Sequence, residues 1–395
     1  MAETSLGRMT RKSPVGAFES FGNSRFISIG GWINAIIPIL IVPYYSVIGG
    51  WVIKYLIEYF AGHSKTLAGD AYFTTFISNG WSTEICFIIF TLFTLGIIYA
   101  GVRNGIERVS KFMMPILIIL SLIIAVYSVT RPGAIEGVKY FLVPNFDHFS
   151  WMTVVSAMGQ MFYSLSIAMG ILITFGSYMK KDTSIEKSTE NVEIFDTAIA
   201  IMAGLMIIPA VFAFSGGNAE TLKSGPALMF ITIPKVFANM GFGTAIGIVF
   251  FLLVLFAAVT SSIALTESAV STFEDELHWS RKKSTVFMGM VMLLLGTLSC
   301  LGYGPLANFK ILGMQFLDFF DFITNSVMMP IAAIATCLLV SKVVGVDKIE
   351  EEIKKDGQAF RRKKIFCFMI KYLCPLFAAI ILISSVANAF GIITM

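Results

Sequence analysis

Nine apolar runs of helical length leave this chain few folds to choose from. They lie at about 28–58, 84–101, 112–130, 151–178, 194–215, 241–270, 285–303, 312–340 and 366–391. About 20 such residues cross the ~30 Å hydrocarbon layer of a bilayer as a helix. No water is present at that depth, so every backbone N–H and C=O must find a partner within the protein, and a helix supplies them all locally. Only 14% of the residues are charged, against about 25% in soluble domains. The sequence predicts an all-α polytopic membrane protein with nine spans forming one transmembrane domain over 1–395, in which 28–391 holds the spans.

The first, sixth and eighth runs are long enough to tilt, break or extend beyond the bilayer. If segment 1–26 is cytoplasmic, 21 of the 29 Lys and Arg residues fall on the inner side, eight of them in the charged loop 342–364. That asymmetry places the N-terminus in the cytoplasm and the C-terminus outside, in a multi-pass protein of the cell (inner) membrane. Segment 1–26 has no apolar core, so no signal peptide is expected. Residues 347–364 read as a charged amphipathic helix or, more simply, a solvated connector. Residues 216–240 read as a structured outer loop with a short helix. The 36 Phe and 21 Met residues suit bundle packing rather than cofactor ligation. The net charge of +4 gives no argument for a nucleic-acid partner. Cys86, Cys300, Cys337, Cys367 and Cys374 show no metal-site spacing and read as buried and reduced.

One run departs from the pattern of the others. Within 151–178, Gly159, Gln160, Ser164, Ser166 and Gly170 cluster in mid-span. Irregular backbone is tolerated at that depth only where it lines a protein cavity, and broken helices of this kind build substrate and ion sites in secondary transporters. The alternative is a continuous span with a small-residue packing face. A break near Ser164–Ala168 is the reading carried forward.

Several segments, in order along the chain, resemble the neurotransmitter:sodium symporter family, bacterial amino-acid transporter type. Gly159–Ser166 (Gly-Gln-Met-Phe-Tyr-Ser-Leu-Ser) resembles the family's sixth, discontinuous span. Ala257–Ala264 (Ala-Ala-Val-Thr-Ser-Ser-Ile-Ala) resembles the eighth. Gly105-Ile106-Glu107-Arg108 with Lys111 and Pro115 resembles the entrance of the fifth, Leu317–Phe322 the tenth, Tyr44-Tyr45 the third, and Phe273–Leu277 the loop after the eighth. The resemblance implies a LeuT-type inverted-repeat helical bundle and sodium-coupled symport of a neutral amino acid, without covalent chemistry. It implies sodium ions and no organic cofactor. Met1–Arg8 resembles the cytoplasmic end of the family's second span. The chain is therefore expected to lack the first span and most of the second, and with them ligands for both sodium sites. On that expectation it is N-terminally truncated and inactive in uptake as given. The alternative is a non-transporting membrane protein or an assembly partner of an intact relative.

Carried over by position, the resemblance implies a substrate pocket of Ile41, Tyr45, Tyr163, Ser164, Ser166, Met169, Ser261 and Leu265. Tyr45 would bond the substrate carboxylate. Met169, a flexible side chain, leaves room for a bulky aliphatic or aromatic substrate. The implied sodium ligands are Ser164 and Asp196 at one site, and Ala257, Thr260 and Ser261 at the other. Without the resemblance, Thr260 and Ser261 read as hydroxyls bonding back to the preceding turn. Asp196 is the only carboxylate of its span, and an intramembrane acid is a functional-site candidate in its own right. With Ala200 where chloride-requiring relatives carry Ser, chloride is not expected to be required. Asp321 matches an outer-gate acid, and Tyr178 and Asp275 resemble the inner gate. Gly105 and Pro115 resemble a motif that lets the fifth span unwind.

Overall fold

The computed structural model describes residues 1–22, 24–218, 222 and 225–391. Two short helices, α1 (Ala2–Thr10) and α2 (Pro14–Glu19), precede the first long one, α3 (Arg25–Phe60). Then come α4 (Gly80–Tyr99), α5 (Val102–Val129), α6 (Trp151–Ser164), α7 (Ile171–Tyr178), α8 (Ile185–Ser215) and α9 (Gly243–Leu277). The chain ends with α10 (Arg281–Leu301), α11 (Phe316–Val344), α12 (Val346–Ile353) and α13 (Lys363–Ala389). Eight of these are long and apolar enough to cross a membrane. The ninth expected run, 151–178, is the pair α6 and α7.

The ends of these helices follow from local chemistry. Ser150 and Thr153 form a reciprocal capping box at the start of α6, and Asn79 caps α4 through the Ser82 N–H. Such caps satisfy donors that the first helical turn leaves orphaned. Gly225–Ala238 supplies the short helix expected in the outer loop; residues 219–221, 223 and 224 of that loop lie outside the described residues.

Helices α3 and α9 pack along each other as the axis of the bundle. Against α3 lie α4, α10 and α11, and α5 packs on both α8 and α9. Between them sits one apolar core that includes Ile41, Tyr44, Trp51, Tyr55, Phe251 and Ile263. The outer faces are apolar too: Phe112, Leu294 and Tyr372 are each about two-thirds exposed, as expected of surfaces that meet hydrocarbon rather than water.

A second core cluster closes one end. Leu6, Phe18, Ile173, Ile185, Val340, Ile349 and Phe360 belong to it, so segment 1–26 is not a loose tail. Helix α1 lies on α7 through two glycines. A Cβ on Gly7 would fall 2.0 Å from the Ile173 carbonyl oxygen, and one on Gly176 would fall 2.5 Å from that of Thr4.

The charged loop after α11 is neither a helix over 347–364 nor a solvated connector. Before α13 begins at Lys363, only Val346–Ile353 is α-helical, and Val346, Ile349, Glu352 and Ile353 are buried. Arg8, 2% exposed, reaches Glu352, also 2% exposed. Its Nε lies 2.6 Å from Glu352 Oε1, and the guanidinium also donates to the carbonyls of Glu352 and Thr183. Farther along, the Arg361 and Arg362 N–H groups donate to Glu186, and the Arg362 side chain pairs with Glu190 and Glu193 at the start of α8. Lys354 and then Lys363 hold the Glu350 carboxyl below its ordinary value by hydrogen bonding. Sequence patterning saw charge here and read solvent; the charges are instead partnered across elements distant in sequence.

Arg8→Ala is expected to lower stability by about 3 kcal/mol, the lower end for breaking a buried ion pair, since Lys355 still neutralises Glu352. Thermal unfolding in detergent reads the loss. An unchanged midpoint would remove the pair from the forces holding α1 to α12.

Candidate functional site

The helical backbone stops at Ser164 and resumes at Ile171. Between them Ser166 (φ 53°), Ala168 (φ 60°) and Gly170 (φ 70°) are all left-handed. For Ser and Ala this conformation costs about 1–2 kcal/mol each, so neighbours must hold it. The break expected from the small polar cluster is present, and the continuous-span alternative is excluded. The Ser166 and Ile167 N–H groups turn back to carbonyls of α6. The Ala168 N–H is met by a residue outside the run: Glu3 Oε1, at 2.8 Å. Glu3 is 5% exposed, and its second oxygen has no partner among the described residues.

Several implied site residues come together around this break. Ser164 Oγ donates to Asp196 Oδ1 at 2.7 Å, joining α6 to α8 across 32 positions of sequence. Tyr45 of α3 lies close to Ser261 of α9. Tyr163 is within electrostatic range of Tyr45 and Asp321. Ser164 and Ser261 are exposed, Tyr45, Tyr163 and Ser166 are partly so, and Ile41, Met169 and Leu265 are buried.

Helix α9 runs unbroken through Thr260 and Ser261, so the pair straddles the helix rather than lying in an opened turn. Thr260 Oγ1 donates to the Phe256 and Ala257 carbonyls, both at 3.0 Å. The back-bonding reading is therefore realised for Thr260, while Ser261 faces Tyr45.

The gate candidates have separate partners. Asp321 accepts from Tyr44 OH at 3.2 Å and from Asn325 Nδ2 at 2.6 Å. Tyr178 OH donates to Glu267 Oε1 at 2.7 Å, and Glu267 is in turn paired with Arg281. Asp275 accepts the Ser13 N–H ahead of α2, so Tyr178 and Asp275 are held by different elements. Gly105 is buried in a π-helical turn, Val102–Glu107, and Pro115 lies one helical stretch later in α5.

Sequence reasoning did not assign Glu3, Asn325 or Arg281 to the site. Asn325 was within reach, being one helical turn after Asp321 and so on the same face. Arg281 was not, since only the fold returns it to Glu267. Among the described residues no group of three or more His, Cys, Asp or Glu could hold a metal ion. The oxygens around the break are hydroxyls, carbonyls and single carboxylates, a donor set suited to a hard monovalent cation rather than to zinc or iron.

Comparison with known proteins gives concordant results. Residues 74–392 match the model of the sodium:neurotransmitter symporter family. The chain is 31% identical over 397 residues to an uncharacterized sodium-dependent transporter of Bacillus subtilis, YhdH, covering 100% of this chain and 86% of that protein. It is 29% identical to an uncharacterized sodium-dependent transporter of Haemophilus influenzae, covering 98% and 86%. The crystal structure of MhsT in complex with L-phenylalanine superposes with a TM-score of 0.85 at 32% identity, over 97% of this chain and 87% of that one.

Gly170 tests how far the break is fixed by its surroundings. A Cβ there would lie 2.7 Å from Pro14 Cγ and 2.8 Å from the Asn34 carbonyl oxygen, on left-handed backbone. Gly170→Ala is expected to cost at least the ~1–2 kcal/mol of the backbone conformation, whereas Gly159→Ala, with nothing within 4 Å, should be neutral or mildly stabilising. Equal unfolding midpoints for the two variants in detergent would show that the break yields to its neighbours.

Proposed function

The chain belongs to the sodium:neurotransmitter symporter family, and from that premise we propose that it is a sodium-coupled symporter of a neutral amino acid with a bulky aliphatic or aromatic side chain. One observation carries the reading beyond the family. The hydroxyls of Ser164 and Thr260 spend their protons inside the protein, on Asp196 and on helix carbonyls. Each hydroxyl oxygen keeps lone-pair capacity, which is what a cation needs.

In this reading Ser164 and Asp196 ligate one sodium ion. The Ala257 carbonyl, Thr260 and Ser261 contribute to a second. Tyr45 turns from Ser261 to bond the substrate carboxylate. Ile41, Met169 and Leu265 bound the apolar side chain. Tyr163, Ser164, Ser166 and Ser261 form the polar rim. Asp321 serves as an outer-gate acid, with Tyr178 and Asp275 on the inner side. Asp196 supplies a fixed negative charge, so chloride is not required. The protein works in the cell membrane, N-terminus in the cytoplasm and C-terminus outside.

A second reading, a non-transporting membrane protein that assembles with an intact relative, draws on the close Tyr45–Ser261 pair. Uptake decides between the two. The full-length gene product in proteoliposomes is expected to accumulate radiolabelled leucine or phenylalanine only under an inward sodium gradient, with chloride replaceable by gluconate. Thr260→Val with Ser261→Ala should reduce sodium-driven uptake about tenfold or more, equivalent to ~1.4 kcal/mol of lost coupling. Absence of sodium-dependent uptake in the unsubstituted protein would favour the second reading.

A further inference from the structure

Beside the bundle axis, away from the helix break, α4, α5 and α9 enclose an apolar pocket of about 370 Å³. Phe93 of α4, Val109 and Met113 of α5, and Phe256 and Val259 of α9 form its walls, with Phe112 at the rim. Phe93 is 54% and Phe112 66% exposed, so the pocket opens on the outer face of the bundle. One charged residue lines it, Arg108. Among the described residues Arg108 makes no hydrogen bond and no ion pair.

The neighbouring charges sharpen this. Glu107, the adjacent carboxylate, is taken by Lys111 at 2.6 Å. Arg103 and Lys180 also lie near Glu107, so the surroundings of Arg108 are net positive. The charged segment 103–111 gives way directly to the uncharged run 112–130, which puts Arg108 where water meets hydrocarbon. Arg108 is exposed at that boundary, and its neighbouring carboxylate is already bonded to Lys111, so the guanidinium is open to an anion. Its planar fork matches a phosphate in particular.

We propose that this pocket is a binding site for an anionic phospholipid, with the phosphodiester on Arg108 and one acyl chain between α5 and α9. Charge complementarity selects the headgroup, and the apolar walls select a chain over free phosphate. The pocket shares no residue with the proposed transport path, although Phe256 and Val259 adjoin Ala257 and Thr260 on α9, and it does not depend on that reading.

Native mass spectrometry of the purified full-length protein tests it. The protein should retain dioleoyl phosphatidylglycerol about fivefold better than dioleoyl phosphatidylcholine, the effect of about one basic side chain at an anionic surface. Arg108→Gln should abolish that preference and Arg108→Lys should keep part of it. Val109→Trp, which fills the pocket, should reduce retention of both lipids. Millimolar inorganic phosphate should change nothing. Equal retention of the two lipids by the unsubstituted protein, an undiminished preference in Arg108→Gln, or displacement of phosphatidylglycerol by inorganic phosphate would each overturn the proposal.

Discussion

A backbone amide without a partner costs several kcal/mol in hydrocarbon, and residues 165–170 interrupt the only structure that would satisfy such amides locally. The rest of the molecule is arranged around that debt. Ser166 and Ile167 turn back onto α6, and Ala168 is met by the carboxylate of Glu3. Glu3 can reach it only because α1 lies flat on α7, which in turn requires Gly7 and Gly176 where the two backbones nearly touch. Arg8, one turn beyond Glu3 and then some, fixes the other end of α1 to α12. The Ala168 N–H, met by Glu3, thus begins a chain of contacts running to the end of the bundle.

The two halves of the broken helix have different neighbours. Helix α7 is bound to α1 and α9, whereas α6 lies against α13 and reaches α8 through Ser164 and Asp196. Continuous helical hydrogen bonding would have forced both halves to share one orientation. The six residues between them remove that coupling, so the positions of α6 and α7 are set by separate packing.

Much of this was legible in the sequence, for identifiable reasons. Span positions follow from apolar length, and the break follows from small polar residues where lipid excludes them. Both are local properties. What the sequence concealed depends on partners remote in the chain. The role of Glu3 needs α1 to lie on α7. The charged loop after α11 looked solvated because Arg8, Glu186, Glu190 and Glu193 lie more than 150 positions from the groups they bind there. Tyr178 and Asp275, both placed at the inner gate by resemblance, bond Glu267 and the Ser13 N–H. Thr260 shows a limit of another kind: two readings of its hydroxyl were available, and they need not compete.

A threonine hydroxyl offers one proton and two lone pairs. Back-bonding to the Phe256 and Ala257 carbonyls uses the proton and leaves the oxygen able to accept. Ser164 is in the same condition, its proton given to Asp196. The Ser164 and Thr260 protons are therefore committed within the protein while their oxygens can still accept, and the carboxylate of Asp196 adds negative charge. Such a polarity favours a cation. In the proposed reading those oxygens serve the sodium ion. The broken helix adds to that polarity, because an intact one would have spent both its amides and its carbonyls on itself.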